Sequence, residues 1–140
     1  WAFVALCVAA CGAVCCATPP TLAGATTERE VTVYRAAEKA ATLANVQISV
    51  RFTESGPVVG NSVAAGWVEC PQDSAPWLIN FNSKWLNEGV EDHVVYMVAV
   101  AYHEVCHVYY HDMLKPCLPA DERRATDCGA SLQACGKVTC

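Results

Sequence analysis

The sequence predicts an α+β fold: one helix, a small mixed sheet, then two further helices, the whole stapled by disulfides. Three observations predict it. Apolar residues recur at helical spacing over residues 28–44. Short alternating or apolar runs bounded by turn residues follow, at 46–52, 65–70 and 77–82. Beyond them lies a proline-free run from Glu91 to Lys115, then a second helical stretch.

The chain of 140 residues is long enough for one domain with a sizeable core. It is 54% hydrophobic and only 16% charged. Its net charge is −5 and its Lys and Arg are scattered, so nothing suggests a nucleic-acid-binding face and no nucleic-acid partner is expected. Residues 1–17 carry no charge and are mostly Ala, Val, Leu and Cys, like the apolar core of a secretory leader. The run starts without Met or a basic stretch, so the reading expects the natural chain to begin further upstream. Small residues at Ala23 and Ala25 suggest cleavage after Ala25. Val8-Ala9-Ala10-Cys11 offers a lipoprotein box instead, and a membrane anchor is the third possibility. Residues 1–25 are therefore expected to be a leader and 26–140 the domain. The protein is expected to be secreted or periplasmic, with membrane contact only through that leader or a lipid. Six of the ten cysteines lie beyond it, at Cys70, Cys106, Cys117, Cys128, Cys135 and Cys140. An even number behind a leader suits up to three disulfides, and six cysteines allow fifteen pairings. No Cys-x-x-Cys occurs among them, so a structural zinc knuckle is not expected.

Thr26 and Thr27 followed by Glu28 and Glu30 mark a helix start. Val31, Tyr34, Ala37, Ala41 and Ala44 then give one helical face. Val46, Ile48, Val50 and Phe52 alternate with other residues, as in a half-buried strand. Ser55-Gly56-Pro57 and Gly60-Asn61 read as turns. Residues 65–70 and 77–82 read as strands, with a loop over 71–76 between them. The central helix is expected over 92–112, with Asp92 as its N-cap. Its valines favour strands locally. The length of the run and the stripe Val94, Val98, Tyr102, Val105, Tyr109 favour a helix. Lys115, Pro116 and Pro119 are expected to end it. A last helix is expected over 121–134, capped by Asp121.

The central helix carries His103-Glu104-Val105-Cys106-His107, and three of the four histidines fall in residues 103–111. His103 and His107 are one turn apart on one face. Two such imidazoles can take two tetrahedral positions of a zinc ion, leaving a third for another side chain and an open one for water. Glu104, next to the first histidine, can take a proton from that water. The competing reading is a buried helix whose histidines are satisfied core polar groups. Candidates for the third ligand are His111, Glu122 and Asp127. His111 lies eight residues beyond His103, roughly 12 Å along the axis, too far to share one ion easily. It suits a supporting or substrate-facing role, or plain surface exposure. Glu122 and Asp127 lie on the last helix, which the short proline-rich link folds back against the central one.

His103 to His111 together with Glu122-Arg123-Arg124-Ala125 resembles the gluzincin metallopeptidases, in particular the small ImmA/IrrE-type minimal zincins. There a His-Glu-x-x-His-x-x-x-His helix is followed by a helix bearing Glu-x-x-Ala. The resemblance implies a zincin-like fold, a Zn2+ cofactor, His103, His107 and Glu122 as metal ligands, and Glu104 as catalytic base. It covers roughly the last third of the chain and the strand at 77–81. Thr126 stands where the family often has Asp or Asn. Thr126-Asp127 is similar to the aspzincin motif, in which an Asp is the ligand. The function expected is hydrolysis of a peptide or protein substrate, bound by strand addition to an edge of the sheet. Tyr109, Tyr110 and His111 are candidates to stabilise the oxyanion. The alternatives are a non-catalytic metal- or partner-binding domain on the same scaffold and a metal-free disulfide-rich domain.

Overall fold

The computed structural model describes residues 24–69, 76–110 and 119–138. Residues 1–23 of the expected leader, the loop at 71–75, the expected end of the central helix at Asp112, Lys115 and Pro116, and His111, Cys70, Cys117 and Cys140 lie outside them. No helix of the described residues is long and apolar enough to cross a membrane.

Helix α1 (Glu28–Ala44) starts in a capping box: the Thr27 side chain accepts from the Glu30 N–H, while Glu30 reaches back to the cap backbone. It ends at Asn45 in the left-handed conformation, φ 55°. Its buried face is small, with Val33, Ala37 and Ala40 wholly inaccessible, which lets it lie close against the sequence's central helix.

Strands β1 (Ile48–Thr53), β4 (Gly66–Glu69) and β5 (Trp77–Asn82) form one sheet in the order β1-β5-β4. The β1–β5 pair is parallel and β4–β5 antiparallel, so the sheet is mixed as expected. Central β5 buries Ile79 and Phe81 completely, and Phe52 of β1 lies opposite Phe81 with ring centroids 5.8 Å apart. Between β1 and β4, strands β2 (Val58–Val59) and β3 (Ser62–Val63) make a tight hairpin around Gly60-Asn61, with Gly60 at φ +62°. The sequence marks the turn; the two-residue strands are too short for periodicity to mark. Helix α2 (Ser83–Glu88) follows β5 directly, which the sequence reading does not anticipate. Its start is an Asn82 side chain accepting from the Trp85 N–H at 3.0 Å.

Helix α3 (Asp92–Tyr110) carries the histidines, and α4 (Pro119–Cys135) packs chiefly on it. Two expectations are corrected at the helix starts. Asp92 and Asp121 lie within the first turns rather than at the caps, where acids still favour the helix dipole. Pro119 stands at the first position of α4, where the first turn needs no N–H from it. The buried face of α3 also differs from the expected stripe. Met97, Ala101 and Val105 are fully buried, whereas Tyr109 is 39% exposed. The reason is that α1, α4 and the sheet all pack on α3, so its buried arc is wide.

Candidate metal centre

Convergence of side chains from α3 and α4 begins with backbone proximity. Gly129 of α4 lies against α3: a Cβ there would sit 3.0 Å from the His103 backbone nitrogen and 3.2 Å from its Cα. Glycine inside a helix costs about 0.5–1 kcal/mol relative to alanine, and here it permits the close crossing. Cys106 and Cys128, both buried, join the same two helices by a disulfide with Cα atoms 6.0 Å apart. Cys135 is also disulfide-bonded.

Across this crossing three side chains meet. His107 Nε2 is 3.0 Å from His103 Nε2. His103 Nε2 is 3.2 Å from Glu122 Oε2, and His107 Nε2 is 3.3 Å from Glu122 Oε1. The tautomer of His103 follows from its neighbours. The Thr126 hydroxyl donates its one hydrogen to the Glu122 carbonyl oxygen at 2.8 Å. Its lone pair therefore meets His103 Nδ1, 3.2 Å away, and Nδ1 must carry the hydrogen. The Nε2 lone pair of His103 is thus aimed into the cluster. Burial, then the adjacent His107, hold the His103 pKa below 6.5 against the opposing pull of Glu122, which favours the neutral, electron-pair-donating ring.

This donor set fits a zinc ion. A tetrahedral ion at about 2.0–2.2 Å from its ligands sets those atoms roughly 3.3–3.6 Å apart. The two Nε2 atoms, 3.0 Å apart, need only a few tenths of an ångström of expansion, and each has one oxygen of the Glu122 carboxylate at 3.2 or 3.3 Å. Among the described residues His103, His107 and Glu122 form the cluster with metal-ligand spacing. Asp127, the rival third ligand, is exposed on α4 and is not part of it.

Glu104 is buried, only 7% exposed, and borders a cavity that His103 and Glu122 also line. Burial first, and the Glu122 charge second, push its pKa up to about 8. Without a cation nearby it holds a proton at neutral pH; an opposite charge in the cluster would favour its ionised form. Tyr109 and Tyr110, the expected oxyanion candidates, do not line the cavity. Tyr110 instead lies under the Arg124 guanidinium, 4.4 Å from ring centroid to Cζ.

The cavity measures about 740 Å³ and lies between α3, α4, the start of β4 and the β2–β3 hairpin. Beside it β4 is a sheet edge among the described residues. The Asn82 N–H donates to the Ala65 oxygen at 2.8 Å, so that opposed pair is hydrogen-bonded. Alternation along an antiparallel ladder then turns the N–H and C=O of Gly66 and Val68 toward the outer edge. Sequence reasoning missed Thr126 as a partner of His103 and Gly129 as a contact. A glycine inside the expected last helix was the available signal for the second.

Compared with protein-family models, with curated proteins and with solved structures, the chain matches none.

Proposed function

We propose that this chain is a zinc-dependent peptidase of zincin type. The observation that carries the reading is the convergence of His103 Nε2, His107 Nε2 and the Glu122 carboxylate within 3.0–3.3 Å of one another, with Glu104 on the wall of the adjoining cavity. His103, His107 and Glu122 would hold the ion, which would supply an acidified water and a polarised scissile carbonyl. Glu104 accepts a proton from the attacking water at its carboxylate and delivers it to the departing amide nitrogen. Thr126 keeps His103 in the tautomer that presents Nε2. An extended substrate pairs with the outward N–H and C=O groups of Gly66 and Val68, which brings its backbone alongside the cluster. A mixed sheet whose antiparallel edge lies beside the His-Glu-x-x-His helix supports the zincin-like arrangement. The disulfide at Cys106–Cys128 agrees with an exported protein.

Four proteins compared side by side test this. The wild type should hold about one zinc per chain by elemental analysis and cleave an unstructured protein. Glu104→Gln should keep the metal and lose hydrolysis by about 10²–10⁴-fold. Glu122→Ala should lose metal affinity, while Asp127→Ala should retain it. A wild type that binds no transition metal when purified without chelator ends the peptidase reading. Metal lost in Asp127→Ala but kept in Glu122→Ala reassigns the third ligand.

A further inference from the structure

We propose that the cavity is built to take a bulky apolar side chain of an extended peptide, against a wall formed by Val59, Val63, Trp85, Tyr96 and Val100. The peptide nature of the ligand rests on the peptidase reading; the side-chain preference is new. Three observations carry it.

The first is charge. Apart from the Tyr96 phenol, the ionisable side chains that line the cavity are His103, Glu104 and Glu122, all at the proposed metal centre. Away from them the lining is apolar, small or neutral. A charged substrate side chain entering there would lose water and gain no opposite charge, whereas an apolar one gains by leaving water. The second is exposure. Val59 is 68% exposed, Val63 50% and Tyr96 56%, so large apolar groups stand in water beside a cavity continuous with the metal centre.

The third is preorganisation. The Trp85 indole is clamped by His93, whose ring stacks on it at 3.9 Å between centroids and 3° between planes. His93 Nδ1–H donates to the Trp85 carbonyl oxygen at 3.0 Å, which fixes the imidazole over the indole. Tyr96 meets Trp85 edge-on at 5.4 Å. The stack exists because residue 89 is glycine; a Cβ there would overlap the His93 imidazole. An aromatic wall already held in place loses little freedom when a ligand packs on it. Its position follows from helix geometry. Tyr96, Val100 and His103 fall on one face of α3, and Tyr96 is two turns, roughly 10 Å, from His103. An extended peptide rises about 3.3 Å per residue, so the favoured side chain lies within about three residues of the scissile bond.

The test is binding, kept separate from catalysis. Fluorophore-labelled ten-residue unstructured peptides, differing only in a central Phe, Leu, Asp or Lys, are titrated by anisotropy into Glu104→Gln protein with and without zinc. Phe and Leu peptides should bind at least tenfold more tightly than Asp and Lys peptides. On the same background Val59→Asp and Tyr96→Asp should remove most of that difference. Both sites are exposed, so circular dichroism should be unchanged. Gly89→Ala, which displaces His93, should weaken the preference without adding a charge. Equal binding of the four peptides, no binding of any, or a preference that survives all three substitutions overturns the proposal. Cleavage by zinc-loaded wild type is scored in parallel. Selective binding with no cleavage removes the peptidase reading and leaves the apolar pocket standing; cleavage without selectivity does the reverse.

Discussion

Thr126 is the residue whose role the structure changes most. In sequence it is only a departure from the resembled family, which often has Asp or Asn there. In the fold its hydroxyl bridges the Glu122 carbonyl and His103 Nδ1, linking both helices of the proposed metal centre through one oxygen. Partners of this kind set ligand orientation and are commonly worth 10–100-fold in metal affinity. Thr126 is exposed, so water can stand in for part of the loss. Thr126→Val is therefore expected to weaken zinc binding by about tenfold, and Thr126→Ser to restore it, in competition titrations with a chromophoric chelator. Equal affinities for Val and Ser would show that the hydroxyl does nothing for the metal. At this scale sequence spacing conveys that His103 and His107 share a face, because helix geometry alone decides it. It leaves Glu122 and Asp127 open, because their choice depends on how α4 crosses α3. That crossing is governed by Gly129, whose missing side chain has no pattern to read beyond its presence in a helix.

Helix α1 illustrates an element whose start is legible and whose anchoring is not. Thr27-x-x-Glu30 is a readable capping box. Nothing local tells that Glu30 also accepts from Ser83 Oγ at 2.6 Å and from Asn87 Nδ2 at 2.9 Å, on a helix more than fifty residues away. That helix, α2, is itself hidden in the sequence, since six residues directly after a strand offer too little periodicity to read. Burial alone would raise the Glu30 pKa. The bonds from Ser83, the Thr26 N–H, Asn87 and the Thr26 hydroxyl outweigh it and hold the carboxyl below 4.5. The sign follows. A carboxyl whose folded pKa is depressed binds fewer protons folded than unfolded as pH falls below its ordinary value. Its contribution is fully present above pH 4.5 and is lost as pH falls through the folded pKa below that. Glu30→Gln should destabilise the domain by roughly 1–3 kcal/mol at neutral pH. It should also flatten the acid limb of a plot of urea stability against pH. An unchanged acid limb would place the acid sensitivity elsewhere.

For the whole molecule, the interface on which the disulfide and the proposed metal centre both depend is α3 on α4. The Cys106–Cys128 disulfide crosses it, and so does the proposed ligand set, split between His103 and His107 on one helix and Glu122 on the other. The disulfide spans 22 residues of sequence, which on a chain-entropy basis corresponds to about 3 kcal/mol of restraint on the unfolded chain. Its pairing was one of fifteen in the sequence, and only the crossing of α3 and α4 selects it. Replacing both cysteines by alanine should therefore lower Tm by several degrees or more, with the segment joining the helices freed in the unfolded state. A ligand that binds the folded state alone stabilises it by RT ln(1 + [L]/Kd), about 2.7 kcal/mol at a hundredfold excess over Kd. Added zinc should then raise the Tm of the cysteine-free protein back toward that of the native one, by fastening the same two helices. The added substitution Glu122→Ala should abolish that recovery, because the ligand on α4 is gone. Recovery that persists in the triple variant would mean that zinc acts elsewhere, and that the convergence of His103, His107 and Glu122 is packing rather than a metal centre.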